Sequence, residues 1–209
     1  GSFGNLSQHL NSIGINKIDG ILLDLGTSSM QLGTPERGFS FQKDGPLDMN
    51  MGMSKFKAFD IINNFEESDL AKIFFKFGEE RYSRIIAKEI VKNRQFEFID
   101  STIKLSNIIK KSLSYKKLNK RKTHPATKTF QALRIFVNQE ISELIYGLIN
   151  AAKILKKDGV LAVVTFHSLE DKIVKYFFKS LSENKSVSRY MPIIEQPDTL
   201  FKLIKKKPI

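Results

Sequence analysis

Gly20-Ile-Leu-Leu-Asp-Leu-Gly-Thr-Ser-Ser29 is the stretch on which the fold turns. Ile21, Leu22 and Leu23 follow one another without alternation. The segment therefore reads as a strand with apolar side chains on both faces, the pattern of an inner strand in a parallel sheet. Asp24 closes it. Gly26 then frees the backbone for a sharp turn, and the hydroxyl residues Thr27, Ser28 and Ser29 follow. In open parallel sheets ligands lie just beyond the carboxyl ends of the strands. A carboxylate at such an end marks the candidate site.

Working outward, Leu6, Leu10 and Ile13 recur at helical spacing before the strand, and Gly14 stops that helix. A second continuous apolar run spans Val160 to Phe166, with His167-Ser168 at its end and an amphipathic helix from Leu169 to Leu181. Between the two runs the pattern is helical. Phe56, Phe59, Ile62 and Phe65 mark one helix, Leu70, Ile73, Phe74 and Phe77 the next. Tyr82, Ile85, Ile86 and Ile90 mark a third, Leu105, Ile108, Ile109 and Leu113 a fourth. Consecutive helices without a strand between them do not belong inside an alternating sheet. The expectation is an α/β core over residues 1–45 and 124–209, interrupted by a helical subdomain over 46–123. Phe130 to Leu155 is expected to be helical with a break near Gly147, Lys156-Lys157-Asp158-Gly159 to be a turn, and Thr199 to Ile204 to be a last strand.

The chain has 209 residues and a formal net charge of +12. An excess of this size points to a polyanionic partner, nucleic acid before an anionic membrane surface. There is no cysteine, no signal peptide and no apolar run long enough to span a bilayer, so a cytoplasmic protein without disulfides is expected. His9, His124 and His167 lack ligand spacing, and no metal is expected. No P-loop or nucleophile elbow occurs. Tyr115 to Lys128 is a basic tract with Lys116, Lys117, Lys120, Arg121, Lys122 and His124. It reads either as a solvated connection or as a phosphate-contacting strip. Glu79, Glu80 and Arg81 read as a surface or inter-helix ion pair. His167 reads as a helix cap or as a catalytic candidate.

Several ordered blocks carry more. Asp24-Leu-Gly-Thr-Ser-Ser-Met-Gln31, Glu36-Arg-Gly-Phe-Ser-Phe41 and Asp44-Gly-Pro-Leu-Asp-Met49 are followed by Gly78-Glu-Glu-Arg-Tyr82. His124-Pro-Ala-Thr-Lys-Thr-Phe-Gln-Ala-Leu-Arg134 and Phe166-His-Ser-Leu-Glu-Asp171 complete the set. Together they closely resemble the bacterial 16S ribosomal RNA cytosine-N4 methyltransferases. The resemblance implies a Rossmann-like class I methyltransferase sheet, here partial, with an inserted helical RNA-recognition subdomain. It implies S-adenosylmethionine as cofactor and methylation of the exocyclic N4 of a cytidine in the decoding region of the small ribosomal subunit's RNA. Asp24 and Gln31 match family positions that contact the cofactor, and Phe3 matches a third, offset by one residue. The family's Gly-Gly-His cofactor loop precedes this region and is not in the sequence; nor is its Arg-rich tail. The alternative expectation is a catalytically incomplete fragment acting only as a basic RNA-binding module.

The resemblance sets the remaining roles. The N4 amine is a poor nucleophile because its lone pair is delocalised into the ring. Acceptors at the strand end, including the hydroxyls of Ser28 and Ser29, would take its hydrogens as it pyramidalises. The target base must leave its stack. Phe39, Phe41 and Phe166 are candidates to stack on it, and Arg37, Lys43 and Arg134 to contact phosphates.

Overall fold

The computed structural model describes residues 3–52, 54–114, 118, 123–183 and 199–204. The chain divides into two compact units, Gly1–Gly26 with Ser142–Ile209, and Thr27–Ile141. The architecture is mixed α/β.

The first unit holds α1 (Leu6–Ser12), β1 (Ile18–Asp24), β2 (Leu155–Val164) and α9 (Ser168–Ser182). It also takes most of α8 (Glu140–Ile154). Among the described residues β1 and β2 form a two-stranded parallel sheet, with Gly20 opposite Val160 and Asp24 opposite Val164. The two expected apolar runs are therefore neighbours. Ile18 pairs with Leu155, but Gly20 pairs with Val160, so residues 156–159 stand opposite Asp19 alone. The expected turn lies inside the ladder as a bulge, and Asp158 takes a positive φ of 63° there.

The strands depart from the expected double burial. Leu23 and Leu25 are buried with Leu144, Leu148 and Val174, and Ile21, Leu161, Val163 and Phe3 pack against them. Leu22 is 68% exposed, and Val160 and Val164 point the other way into the open. Side chains alternate across a strand. Among the described residues the packing side chains of the helices meet just one face of this sheet. Gly147 does not break α8. A Cβ there would lie 2.8 Å from the Cβ of Phe3, so glycine admits a close neighbour to an unbroken helix. Residues 199–204 take no strand; Phe201 N donates to the Leu181 carbonyl at 3.1 Å instead.

The second unit holds α2 (Ser29–Gly33), α3 (Ala58–Asn64), α4 (Glu67–Gly78), α5 (Ser83–Arg94), α6 (Thr102–Ser112) and α7 (Thr127–Val137). α4 packs on both α5 and α7, and α5 on α6. The helical break expected near Gly147 occurs at Asn138 and Gln139, where Gln139 has a φ of 51°. Phe74, Ile61, Ile62, Ile86, Ile90 and Leu133 sit at the centre of the core.

The long loop after α2 is tied into these helices, so it groups with the second unit. Phe59 N donates to the Leu47 carbonyl at 2.7 Å, and Thr102 N to the Gly45 carbonyl at 2.9 Å. A Cβ on Gly38 would lie 2.1 Å from the Pro46 oxygen, and one on Gly45 1.9 Å from the Pro35 oxygen. Asp44 Oδ1 accepts from Gly45 N and Ile103 N at the start of α6. Buried Asn138 donates to the Met49 and Arg134 carbonyls and accepts from Met51 N. Buried Asn63 donates to the Phe59 and Ile99 carbonyls and accepts from Ile99 N. Each amide uses its NH2 twice and its oxygen once, so the loop is held by satisfied polar groups as well as apolar ones.

Candidate functional site

Asp24 stands at the carboxyl end of β1, exposed, and no hydrogen bond or ion pair reaches its carboxylate among the described residues. The neighbouring backbone is shaped by Gly26, whose φ is +91°. A Cβ at that position would lie 3.2 Å from Cδ2 of Phe166. The chain leaving β1 and the chain leaving β2 thus approach closely, and the Phe166 ring lies over the glycine while remaining 67% exposed. Only a residue tolerant of positive φ fits such a turn without strain.

Beyond it, Ser28 and Gln31 form a capping box. Ser28 Oγ accepts from Gln31 N at 3.2 Å, and Gln31 Oε1 accepts from Ser28 N at 2.8 Å. The pattern Ser-x-x-Gln is legible in the sequence, though the reading above did not use it. The box fixes the Gln31 carbonyl oxygen and leaves its NH2 as a donor. Ser29 opens α2 with an exposed side chain.

His167 has a capping role. Its Nδ1 accepts from Glu170 N at 3.4 Å at the start of α9, and its Nε2 lies 3.2 Å from Glu170 Oε1. Glu170 in turn accepts from Phe166 N at 3.0 Å. This nearly buried knot orients the strand exit and gives His167 the cap role, one of its two expected readings. Phe3 lies in the packing of the first unit against α8, so its ring serves that core.

The candidates for RNA contact separate sharply. Phe39 is buried, with the Arg37 guanidinium 5.6 Å from its ring centroid. Phe41 stacks on His124 at 4.5 Å and meets Phe130 edge-on at 5.0 Å. Burial leaves the Phe39 ring no open face for a base, while Phe41 is partly buried with one face on His124. Desolvation first, and the nearby Lys110 charge second, hold the His124 pKa below its ordinary 6.5. Arg134 is claimed by Glu140 through two bonds of 2.8 and 2.9 Å, which neutralises the charge a phosphate would need. Arg37 Nη2 donates to the Asn50 carbonyl at 3.2 Å and keeps its charge. Lys43 is exposed. Lys116, Lys117, Lys120, Arg121 and Lys122 lie outside the described residues.

Glu80, expected in a surface or inter-helix ion pair, is buried and accepts from Tyr82 N at 2.8 Å. The block around it is a packing device. Gly78 lets α4 meet α7 so closely that a Cβ would lie 2.3 Å from the Lys128 carbonyl oxygen. Lys128 Nζ then donates to the Glu79 carbonyl at 2.9 Å. Two of the sequence blocks singled out above therefore meet each other.

Comparison with known proteins follows from this geometry. The sequence matches the profile of the MraW methylase family over residues 1–209. It is 51% identical over 209 residues to a ribosomal RNA small subunit methyltransferase H of Rickettsia bellii, covering 99% of this chain and 67% of the relative. The like-named proteins of Rickettsia massiliae and Zymomonas mobilis are 50% and 44% identical, with 92% and 95% of this chain covered. The chain spans 63% and 59% of the lengths of those two.

Proposed function

The chain belongs to the MraW methylase family, and from that premise we propose that it carries part of an S-adenosylmethionine-dependent enzyme that methylates the exocyclic N4 of a cytidine in the decoding region of 16S ribosomal RNA. One observation supports this most directly. An exposed, unpartnered carboxylate, Asp24, ends a parallel strand beside an exposed aromatic ring, Phe166, that rests on a glycine turn.

The residues present fit a cofactor in part. The Asp24 carboxylate is free to accept hydrogen bonds from hydroxyl or amino groups, and the Gln31 NH2 is free to donate one. S-adenosylmethionine, when bound, supplies an electrophilic methyl group. The chain's own residues have separate work. Phe166 offers a flat apolar face for an extruded base, and the hydroxyls of Ser28 and Ser29 and nearby backbone carbonyls offer acceptors for the amine hydrogens. Holding the amine in line contributes on the order of 7–11 kcal/mol in favourable systems. Arg37 and Lys43 are available to phosphates.

The second reading is an RNA-binding piece that does not engage the cofactor. It draws on the sheet, which has two strands among the described residues and leaves Leu22 and Val164 open. Calorimetric titration of S-adenosylmethionine separates the readings. Heat of binding from the chain supports the enzyme. Binding that appears only in a longer chain of the relatives' length makes these residues an incomplete part of it. No binding in either defeats the methyltransferase reading.

A further inference from the structure

At the amino ends of β1 and β2, inside the first unit, lies an open pocket of about 880 Å³. Its floor is apolar, built from Ile149, Leu155, Phe177, Leu181 and Phe201. Phe177 and Phe201 are 6.5 Å apart and tilted edge to face. Its rim is basic: Lys17, Lys153, Lys156, Lys157 and Lys202 line it, against the single acid Asp158. Lys156 is ion-paired to Asp19 at 2.9 Å. No carboxylate pairs with Lys17, Lys153, Lys157 or Lys202 among the described residues. Lys17 Nζ is held by the Lys153 carbonyl at 2.7 Å, which positions its charge without cancelling it.

The bulge in β2 builds this rim. Residues 156–159 loop out opposite Asp19 because Asp158 adopts a positive φ. Bulges re-aim side chains at sheet edges and beside functional sites. A non-glycine residue in the left-handed region is uncommon. Here it places a Lys-Lys pair at the mouth of an apolar pocket.

Lysines around an aromatic floor are the elements of a single-stranded nucleic-acid site, the charges tracking the backbone and the rings receiving bases. We infer that this pocket binds a single-stranded segment of the RNA substrate, at a place separate from the strand-end site at Asp24. The inference rests on the RNA-methyltransferase reading and extends it. β1 runs from Ile18 to Asp24, so at a rise of about 3.3 Å per residue the two ends of the strand are about 20 Å apart. A single strand gripped here would lie several nucleotides from the base presented at Asp24. It would hold the RNA in register without touching the reacting atoms.

The test uses a fluorescein-labelled single-stranded oligoribonucleotide and anisotropy titrations of the chain across a range of salt. In the double variant Lys157→Glu/Lys202→Glu, affinity at low salt should fall about tenfold or more, and the log–log salt slope should become shallower by about 1.4, at 0.7 per lysine. Phe201→Ala should weaken binding with the slope unchanged. Circular dichroism checks folding, and Lys17→Glu/Lys153→Glu probes the same rim if the first variant unfolds. Tight RNA binding that both charge variants leave unaltered overturns this site and leaves the enzyme reading standing. No RNA binding by the unaltered chain overturns this site, and the S-adenosylmethionine titration decides the enzyme reading separately. Sedimentation with phosphatidylglycerol vesicles that the variants abolish, while their RNA affinity stays the same, assigns the lysines to lipid and also overturns the site.

Discussion

Asp24 and His124 show what a single side chain can and cannot reveal in a sequence. Asp24 stands out because a continuous apolar run ends on it, and such run ends are where sheets place ligands. Asp24→Ala should abolish S-adenosylmethionine affinity in any chain that binds it, read by calorimetry; an unchanged affinity removes Asp24 from the cofactor site. His124 was read as a member of a basic strip, and its ring instead lies on Phe41. Local spacing gives no sign of that, since Phe41 and His124 are far apart in sequence. The stacked, partly desolvated imidazole prefers its neutral form, so it should titrate below 6.5 by proton NMR and rise towards its ordinary value in Phe41→Ala, with the Lys110 charge still acting on it. A base whose folded pKa lies below its unfolded one favours folding at high pH. That contribution is complete above about 6.5 and is lost as pH falls through that value towards the folded pKa. Phe39 and Arg134 were misplaced for a related reason: aromatic and basic residues look alike on a surface and in a core until their neighbours are known.

Among the elements, the helices were legible from their 3.6-residue periodicity, and their capping and close packing were only partly so. Ser28→Ala removes one half of the capping box and should cost about 1 kcal/mol of α2 stability. Faster amide exchange confined to residues 30–33 would show it. Gly78→Ala should be worse. Alanine is the better helix former, by about 1 kcal/mol, but its Cβ would drive into the Lys128 carbonyl. Overpacking of this kind costs about 1–3 kcal/mol, and here a backbone atom rather than a flexible side chain must move. Chemical denaturation should register a net loss; equal or greater stability would mean that α4 and α7 separate freely. Gly147 was read as a break for want of its partner, Phe3, which is distant in sequence. The two paired strands follow the apolar runs, but the strand expected at Thr199 to Ile204 does not form, and the burial of the pair differs from the expectation. A run of apolar residues reports what a strand is suited to, and the layers that cover it come from elsewhere in the fold.

For the whole molecule, the charge is read directly from the sequence. The net charge of +12 predicts RNA affinity that falls linearly with the logarithm of salt, and a flat response would detach the basic character from RNA. An interruption is expected from the consecutive helices. Hydrogen bonds from the loop to α3 and α6 join residues that no local pattern connects. One consequence concerns how the chain reaches its fold. β1 and β2 pair residues about 140 positions apart, Gly20 with Val160, whereas in the second unit α4 joins α5 and α5 joins α6 as chain neighbours, and α4 meets α7 about 50 positions on. Long-range ladders close slowly because the entropy of the intervening chain must be overcome first. Refolding followed by pulsed deuterium labelling should therefore protect the helical amides early and those of residues 20–24 and 160–164 last. The segment carrying the carboxylate proposed for the cofactor would then be the final part of the chain to take shape.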